Sequence, residues 1–290
     1  MLPIAGIVLL FACVFGSYIV GGGKIGILIE AAPLEAVTIL GAAIAAYLIS
    51  NGGDTLKRTL KEVPKIFSGP KWKPGDYKDL LCLLFLITKM MKTKGLIAIE
   101  PHIENPKDSS MFKRYPKILG DHFSVEFLCD NLRMMSMSLD DPHQLAEVME
   151  TQLEKHHHES LKVSHAIQTM ADGIPALGIV AAVLGVIKTM ARINEPPEVL
   201  GMLIGGALVG TFLGVFLAYG LVGPISSRLK EIADEEFQFY LMIKETVIAH
   251  LHGNAAQISV EIARGSIPSQ HQPNFAQVEE ALNNIPPEAA

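Results

Sequence analysis

Cysteine, strand-like alternation and intramembrane charge are all scarce in this chain, and each scarcity excludes something. Cys13, Cys82 and Cys129 are odd in number and scattered, with no CxxC spacing. They read as packed free thiols and exclude a disulfide framework. The net charge of −6 comes without a basic stripe, so nucleic acid is not an expected partner. No segment alternates apolar and polar residues with period two for long, which argues against a sheet. No HExxH or paired-carboxylate spacing occurs, and His156, His157 and His158 cannot serve as one metal site. Consecutive side chains on a helix fan apart by about 100°, so the three read as a solvated helix surface. No enzymatic activity, metal or cofactor is expected.

Four segments lack Asp, Glu, Lys, Arg and His altogether: residues 3–20, 36–53, 173–187 and 199–227. The mean hydropathy of +0.33 is high for a chain that is 19% charged, and the two figures fit only if apolar residues are concentrated in such segments. A bilayer core needs about 17–25 apolar residues per helix. Three segments meet this unaided. Met170 and Ala171 extend the third, and Asp172 and Lys188 flank it where charges can reach the interface. Residues 80–88 are too short to span and read as a buried helix of a soluble block. The first segment lacks a basic leader region and a cleavage site followed by a soluble domain, so it reads as a retained helix.

Lys and Arg near the spans set orientation. With residues 51–169 and the C-terminus in the cytoplasm, all but Lys24, Lys188 and Arg192 of the 24 Lys and Arg residues lie inside. Lys57, Arg58, Lys61 and Lys65 directly follow the second span. Both termini are therefore expected in the cytoplasm of a multi-pass membrane protein.

The expected organisation is all-α. Residues 1–53 hold two transmembrane helices and a short outer loop, and 54–169 form a helical cytoplasmic domain. Residues 170–227 hold the third and fourth spans, 228–264 form a cytoplasmic amphipathic helix, and 265–290 read as a disordered tail. Within the cytoplasmic block, helical spacing covers 77–92, ending at Gly95 as a C-cap, then 125–137 and 145–168. Asp140, Asp141 and Pro142 form a helix start.

Small residues recur every fourth position in the last two spans. Gly178 pairs with Ala182, Ala181 with Gly185, and Gly206, Gly210, Gly214 and Ala218 form one stripe. Lipid gives no hydrophobic drive for helix association, so close backbone approach replaces it. This packing joins the four helices to each other or to further subunits. Away from the cytoplasmic ends of the segments, the polar side chains in the spans are the hydroxyls of Ser17, Tyr18, Thr38, Tyr47, Thr211 and Tyr219. Ion paths normally use ionisable groups, so either no ion moves or a partner helix supplies the carboxylate. Pro175 and Pro224 mark the cytoplasmic ends of the second pair. Each removes a backbone donor, which suits a hinge, although a proline in the first helical turn is ordinary.

Residues 173–187 (GIPALGIVAAVLGVI) and 206–224 (GALVGTFLGVFLAYGLVGP) closely resemble helices three and four of the MotA family of flagellar stator subunits. VFGSYIVGGG (14–23), GLIAIEPHIENP (95–106), FKRYPKIL (112–119) and AYGLVGPI (218–225) extend the resemblance to nearly the whole chain. It implies a ring of five subunits around two copies of MotB. Each MotB contributes one transmembrane helix bearing an essential aspartate. It also implies an inner-membrane location, ion flow that turns the ring, and a cytoplasmic domain that pushes the rotor protein FliG. By resemblance, Pro175 and Pro224 couple ion flow to movement, and Thr211 and Tyr219 belong to the ion path. Glu100 is the acidic member of the rotor-contacting pair. Lys92 stands where its basic partner is usually arginine, which keeps the charge but loses the bidentate fork. Without the resemblance, Lys92 and Glu100 would read as a solvated surface pair. Sodium-driven relatives carry a threonine one residue after the position of Ala181; here that residue is Ala182. A methyl cannot coordinate a hard cation, so the expected ion is the proton. TolQ and ExbB subunits are related in their last helices but have one span before the cytoplasmic region, where this sequence has two. The first pair of spans is expected to form the outer, lipid-facing layer.

Overall fold

The computed structural model describes residues 2–137 and 141–286, so Asp140 of the expected helix start lies outside the described residues. The chain forms α1 (Leu2–Val20), α2 (Ile25–Ser50), α3 (Gly53–Glu62), α4 (Lys65–Ser68) and α5 (Pro74–Lys94). A 3₁₀ turn at Leu96–Ile99 leads to α6 (Glu100–Glu104), α7 (Ser110–Lys113), α8 (Pro116–Leu119) and α9 (His122–Ser136). Then come α10 (Pro142–Met190) and α11 (Pro197–Leu217), a π turn at Ala218–Val222, and α12 (Gly223–Leu251), α13 (Ala256–Arg264) and α14 (Phe275–Asn283). Among the described residues there is no strand. Four helices, α1, α2, α10 and the helix that continues from α11, are long and apolar enough to cross a membrane.

The chain divides into two compact units, Met1–Gly69 with Ser160–Ile232 and Pro70–Glu159 with Ala233–Ala290. This moves the expected boundaries. Residues 54–69 and 160–169 belong with the membrane helices, because Ile66, Val163, Ile167 and Leu229 form one buried cluster there. The apolar pattern of a single helix cannot reveal which unit it packs into.

In the membrane unit, α1 and α2 are joined only by residues 21–24, with Gly22 at φ 80, a conformation glycine adopts without strain. The expected outer layer divides in two. Helix α1 buries no residue, and its Phe11 and Phe15 meet Phe212 and Phe216 at ring-centroid distances of 5.3–6.0 Å. Helix α2 instead supplies Ile39 and Ala43 to a core shared with Ile174 and Ala181 of α10 and with Val209 and Leu213 of α11. It also starts eleven residues before the uncharged segment that predicts it. Glu30, Pro33 and Glu35 therefore lie inside a spanning helix, and the expectation of charge-free spans fails for α2.

In the second unit, α5 is the central helix. Leu80, Leu81, Leu83, Leu84, Leu86 and Ile87 are buried all round it, as the 80–88 segment predicts. Its end is turned by Gly95 at φ 84. The only tryptophan of the chain, Trp72, stacks on Phe239 with centroids 3.8 Å apart and planes within 7°. Helix α9 is capped by Asp121, whose carboxylate accepts from the Ser124 amide (3.2 Å), the Ser124 hydroxyl (2.7 Å) and Lys71 Nζ (2.8 Å). Burial pushes the Cys82 thiol up to about 11 and the Cys129 thiol up to about 12, as inert packed thiols require, whereas Cys13 on α1 is exposed, against the expectation of three packed thiols.

Two expectations about the C-terminal region are corrected. The helix predicted over 228–264 breaks after Leu251 at Gly253 (φ 86) and resumes as α13. The tail predicted to be disordered contains α14, held by a capping box between Asn274 and Gln277, with Ile267, Val278 and Leu282 in the core of this unit. Three apolar residues scattered through a Pro- and Asn-rich segment suffice once a preformed core exists to receive them.

Candidate functional site

The crossing of α10 and α11 is built by residues without side chains to spare. A Cβ on Gly178 would lie 2.8 Å from the Gly210 carbonyl oxygen and 2.9 Å from Gly214 Cα. One on Gly214 would lie 2.8 Å from Gly178 Cα, and one on Gly185 2.9 Å from Ala207 Cα. The helices therefore meet backbone to backbone, in antiparallel order, at 178 with 214, 181–182 with 210, and 185 with 207. The predicted stripe bends away from this seam. Gly206 faces α2, where a Cβ would meet only Ala31 Cβ at 3.6 Å, and Ala207 takes its seat against Gly185. Steps of four residues on a 3.6-residue helix drift by about 40° each, so such a stripe cannot follow one straight neighbour.

Among the predicted hydroxyls, the structure distinguishes two groups. Ser17 donates to the Val14 carbonyl (3.2 Å), Tyr18 to the Lys24 carbonyl (3.4 Å) and Thr38 to the Leu34 carbonyl (3.1 Å), while Tyr47 bonds Thr59 Oγ1 (2.6 Å). Thr211, half-buried beside Gly210, and Tyr219, exposed on the π turn, make no hydrogen bond within the chain among the described residues. A threonine in a helix ordinarily bonds the carbonyl four residues back, as Thr189 does to Gly185 at 2.9 Å. The Thr211 oxygen is thus left available to another group.

Both prolines act on backbone hydrogen bonding. Pro175 lies deep inside α10 rather than in its first turn, so it removes the amide that would bond the Ala171 carbonyl. Pro224 follows the π turn as the second residue of α12. A π turn widens the helix locally and is a recurrent feature of functional helices. Ala182 is half-buried with its backbone N 3.1 Å from the point a Gly210 Cβ would occupy. Just below, the buried Ser226 hydroxyl donates to the Ser164 carbonyl at 2.7 Å and ties α12 to α10, a contact without any sequence signal.

Sequence reasoning missed Glu35. Its Oε2 lies 2.9 Å from the same Gly210 point, so the carboxylate of α2 reaches the α10–α11 crossing. The available signal was the glycine run 21–23, which ends α1 and leaves α2 free to begin at Ile25, eleven residues before the uncharged segment.

The second predicted site lies in the other unit. Lys92 at the end of α5 and Glu100 at the start of α6 are both exposed and form no ion pair with each other among the described residues. Lys92 Nζ donates to the Gly253 carbonyl at 3.0 Å, which holds the ammonium near the turn after α12. Burial, with Lys92 nearby, lowers the pKa of the adjacent His250 imidazole.

The histidine run is not a solvated surface throughout. His156 stacks on Phe123 (centroids 3.5 Å), and His157 lies 3.2 Å from Asp234 and against Phe237. The side chains do fan apart, and no group of potential metal ligands gathers among the described residues.

Comparison with known proteins matches two family models. Residues 4–95 match the motility protein A N-terminal family, and residues 121–242 match the MotA/TolQ/ExbB proton channel family. Motility protein A of Salmonella typhimurium is 36% identical over 285 residues, 98% of this chain and 96% of that protein. Motility protein A of Escherichia coli is 35% identical over the same shares. Two solved structures share the fold. One, described as the structure of C. jejuni MotAB, matches at a TM-score of 0.72 and 21% identity over 94% of this chain and 98% of that one. The other, the flagellar MotAB stator complex from Bacillus subtilis, matches at 0.71 and 21% over 92% and 96%. With a relative this similar along its whole length, the chain belongs to the motility protein A family.

Proposed function

We propose that this chain is the A subunit of a flagellar motor stator, which forms an ion channel with MotB and turns ion flow into rotation. The observation that carries this reading is the 36% identity to motility protein A across 98% of the chain. The family is one of membrane channels rather than enzymes. The α10–α11 pair supports the reading, because α11 carries the unbonded Thr211 hydroxyl beside the seam residue Gly210, and Pro175 and Pro224 loosen the backbone of the same helices. Ile179, Val183, Leu184 and Ile187 of α10 and Met202, Ile204, Leu208 and Val215 of α11 are exposed apolar residues suited to further helices or lipid. Two apolar helices, α1 and α2, precede the soluble unit, against a TolQ or ExbB subunit with one.

The finer reading has five copies surrounding two MotB helices in the inner membrane of a bacterium, with both termini cytoplasmic. Lys92 and Glu100 face FliG, and the ion is the proton, because Ala182 offers no oxygen. Expression of this chain with its MotB-type partner in a host deleted for its own stator pair should restore swimming. Speed should be unchanged when external sodium is varied at constant pH. No swimming from a pair that accumulates in the membrane would refute the stator reading, and speed that tracks sodium would refute the choice of ion.

A further inference from the structure

Glu35 lies ten residues, about 15 Å, beyond the start of α2. Its Oε2, the Ala182 amide nitrogen and Ala181 Cβ all lie within 3.2 Å of the point a Gly210 Cβ would occupy, one residue along α11 from Thr211. Pro33, two residues earlier, interrupts the hydrogen bonding of the same turn. Among the described residues, Glu35 has neither an ion pair nor a hydrogen bond. The charged groups around it are few. Lys188 in the last turn of α10 acts on it electrostatically, Glu30 precedes it on α2, and α11 contributes only Glu198 in its first turn. Glu35 is half-buried rather than exposed on the lipid-facing side of α2, and ionisable groups inside spans mark ion or proton routes.

We propose that Glu35 is a proton-relay residue of this subunit. Its carboxylate takes a proton from water on the outer side and passes it to the acceptor that the partner helix brings to the α10–α11 seam. The proton alone moves, and the carboxylate is regenerated at each passage. The relay gives the seam an oxygen where Ala182 has a methyl, at the turn of α11 that also carries the unbonded Thr211 hydroxyl. This inference rests on the stator reading and adds a titratable group from this chain to it.

The test uses the full chain with its partner in the stator-deleted host. Parent, Glu35→Gln, Glu35→Asp and Glu35→Ala are compared for swimming speed, for cytoplasmic acidification as a measure of proton uptake, and for co-purification with the partner. The relay predicts that Glu35→Gln and Glu35→Ala lose at least about fivefold in proton uptake at parental membrane levels, and that Glu35→Asp restores most of it. Parental uptake in Glu35→Gln would overturn the relay. So would failure of both Glu35→Gln and Glu35→Asp to accumulate, since Glu35 would then be a packing residue. A parent pair that accumulates but neither conducts nor swims would instead overturn the stator reading.

Discussion

Replacing Gly214 by alanine should separate α10 from α11, whereas the same change at Gly206 should not. The added Cβ at 214 would lie 2.8 Å from Gly178 Cα and 3.2 Å from the Ile174 carbonyl oxygen. Both are backbone atoms, so no side chain can rotate away. Ordinary contact begins near 3.4 Å, so the helices must move apart by about 0.6 Å along a seam that has no other slack. Overpacking of this kind costs about 1–3 kcal/mol, which is about 5- to 150-fold in an assembly equilibrium. At Gly206 the new methyl meets Ala31 Cβ at 3.6 Å, and helix propensity improves by up to about 1 kcal/mol. That change should be neutral or stabilising. The assay is the thermal midpoint of the purified complex in detergent, alongside swimming speed in the complemented host. Gly214→Ala should lower both, and Gly206→Ala should lower neither. Equal damage from the two substitutions, or a Gly214→Ala complex as heat-resistant as the parent, would refute the seam.

Lys92→Glu and Glu100→Lys should each reduce swimming while leaving membrane levels unchanged, and opposite charge changes on FliG should partly restore it. Parental swimming by both variants would remove the electrostatic rotor contact. Pro175→Leu restores the amide that bonds the Ala171 carbonyl, so it should leave the subunit in the membrane but lower swimming speed at least severalfold. Asp121→Ala removes the α9 cap and the Lys71 partner, and should cost about 1–2 kcal/mol in thermal unfolding followed by Trp72 emission. Burial would raise the Asp121 carboxyl, but hydrogen bonds from Lys71 and Ser124 hold it below the usual carboxylate range. Its stabilisation is therefore present above about pH 3.9 and lost as pH falls through the lower folded value, a loss Asp121→Ala should not show. The lowered imidazole of His250 acts earlier. Stability should decline as pH falls below about 6.5, by at most about 1.4 kcal/mol per pH unit, and His250→Gln should flatten that slope.

Sequence alone determined the class of molecule. Uncharged segments of bilayer length and small residues four apart follow from one-dimensional rules, because each reflects a residue's own preference for lipid or a close backbone. The leucine-rich helix α5 and the C-cap at Gly95 were legible for the same reason. Other features depend on which surfaces meet, and only the tertiary structure decided them. Gly206 and Gly214 are equivalent in sequence, yet one faces α2 and the other Gly178. Glu35 looked like part of a loop, because charge in a span is costly unless neighbouring helices receive it. The tail looked disordered, because Val278 and Leu282 are too few to fold alone and are buried only against a core formed by distant residues. Thr211 and Thr38 read alike as hydroxyls inside spans, and only the folded helices show that Thr38 is satisfied by its own backbone and Thr211 is not.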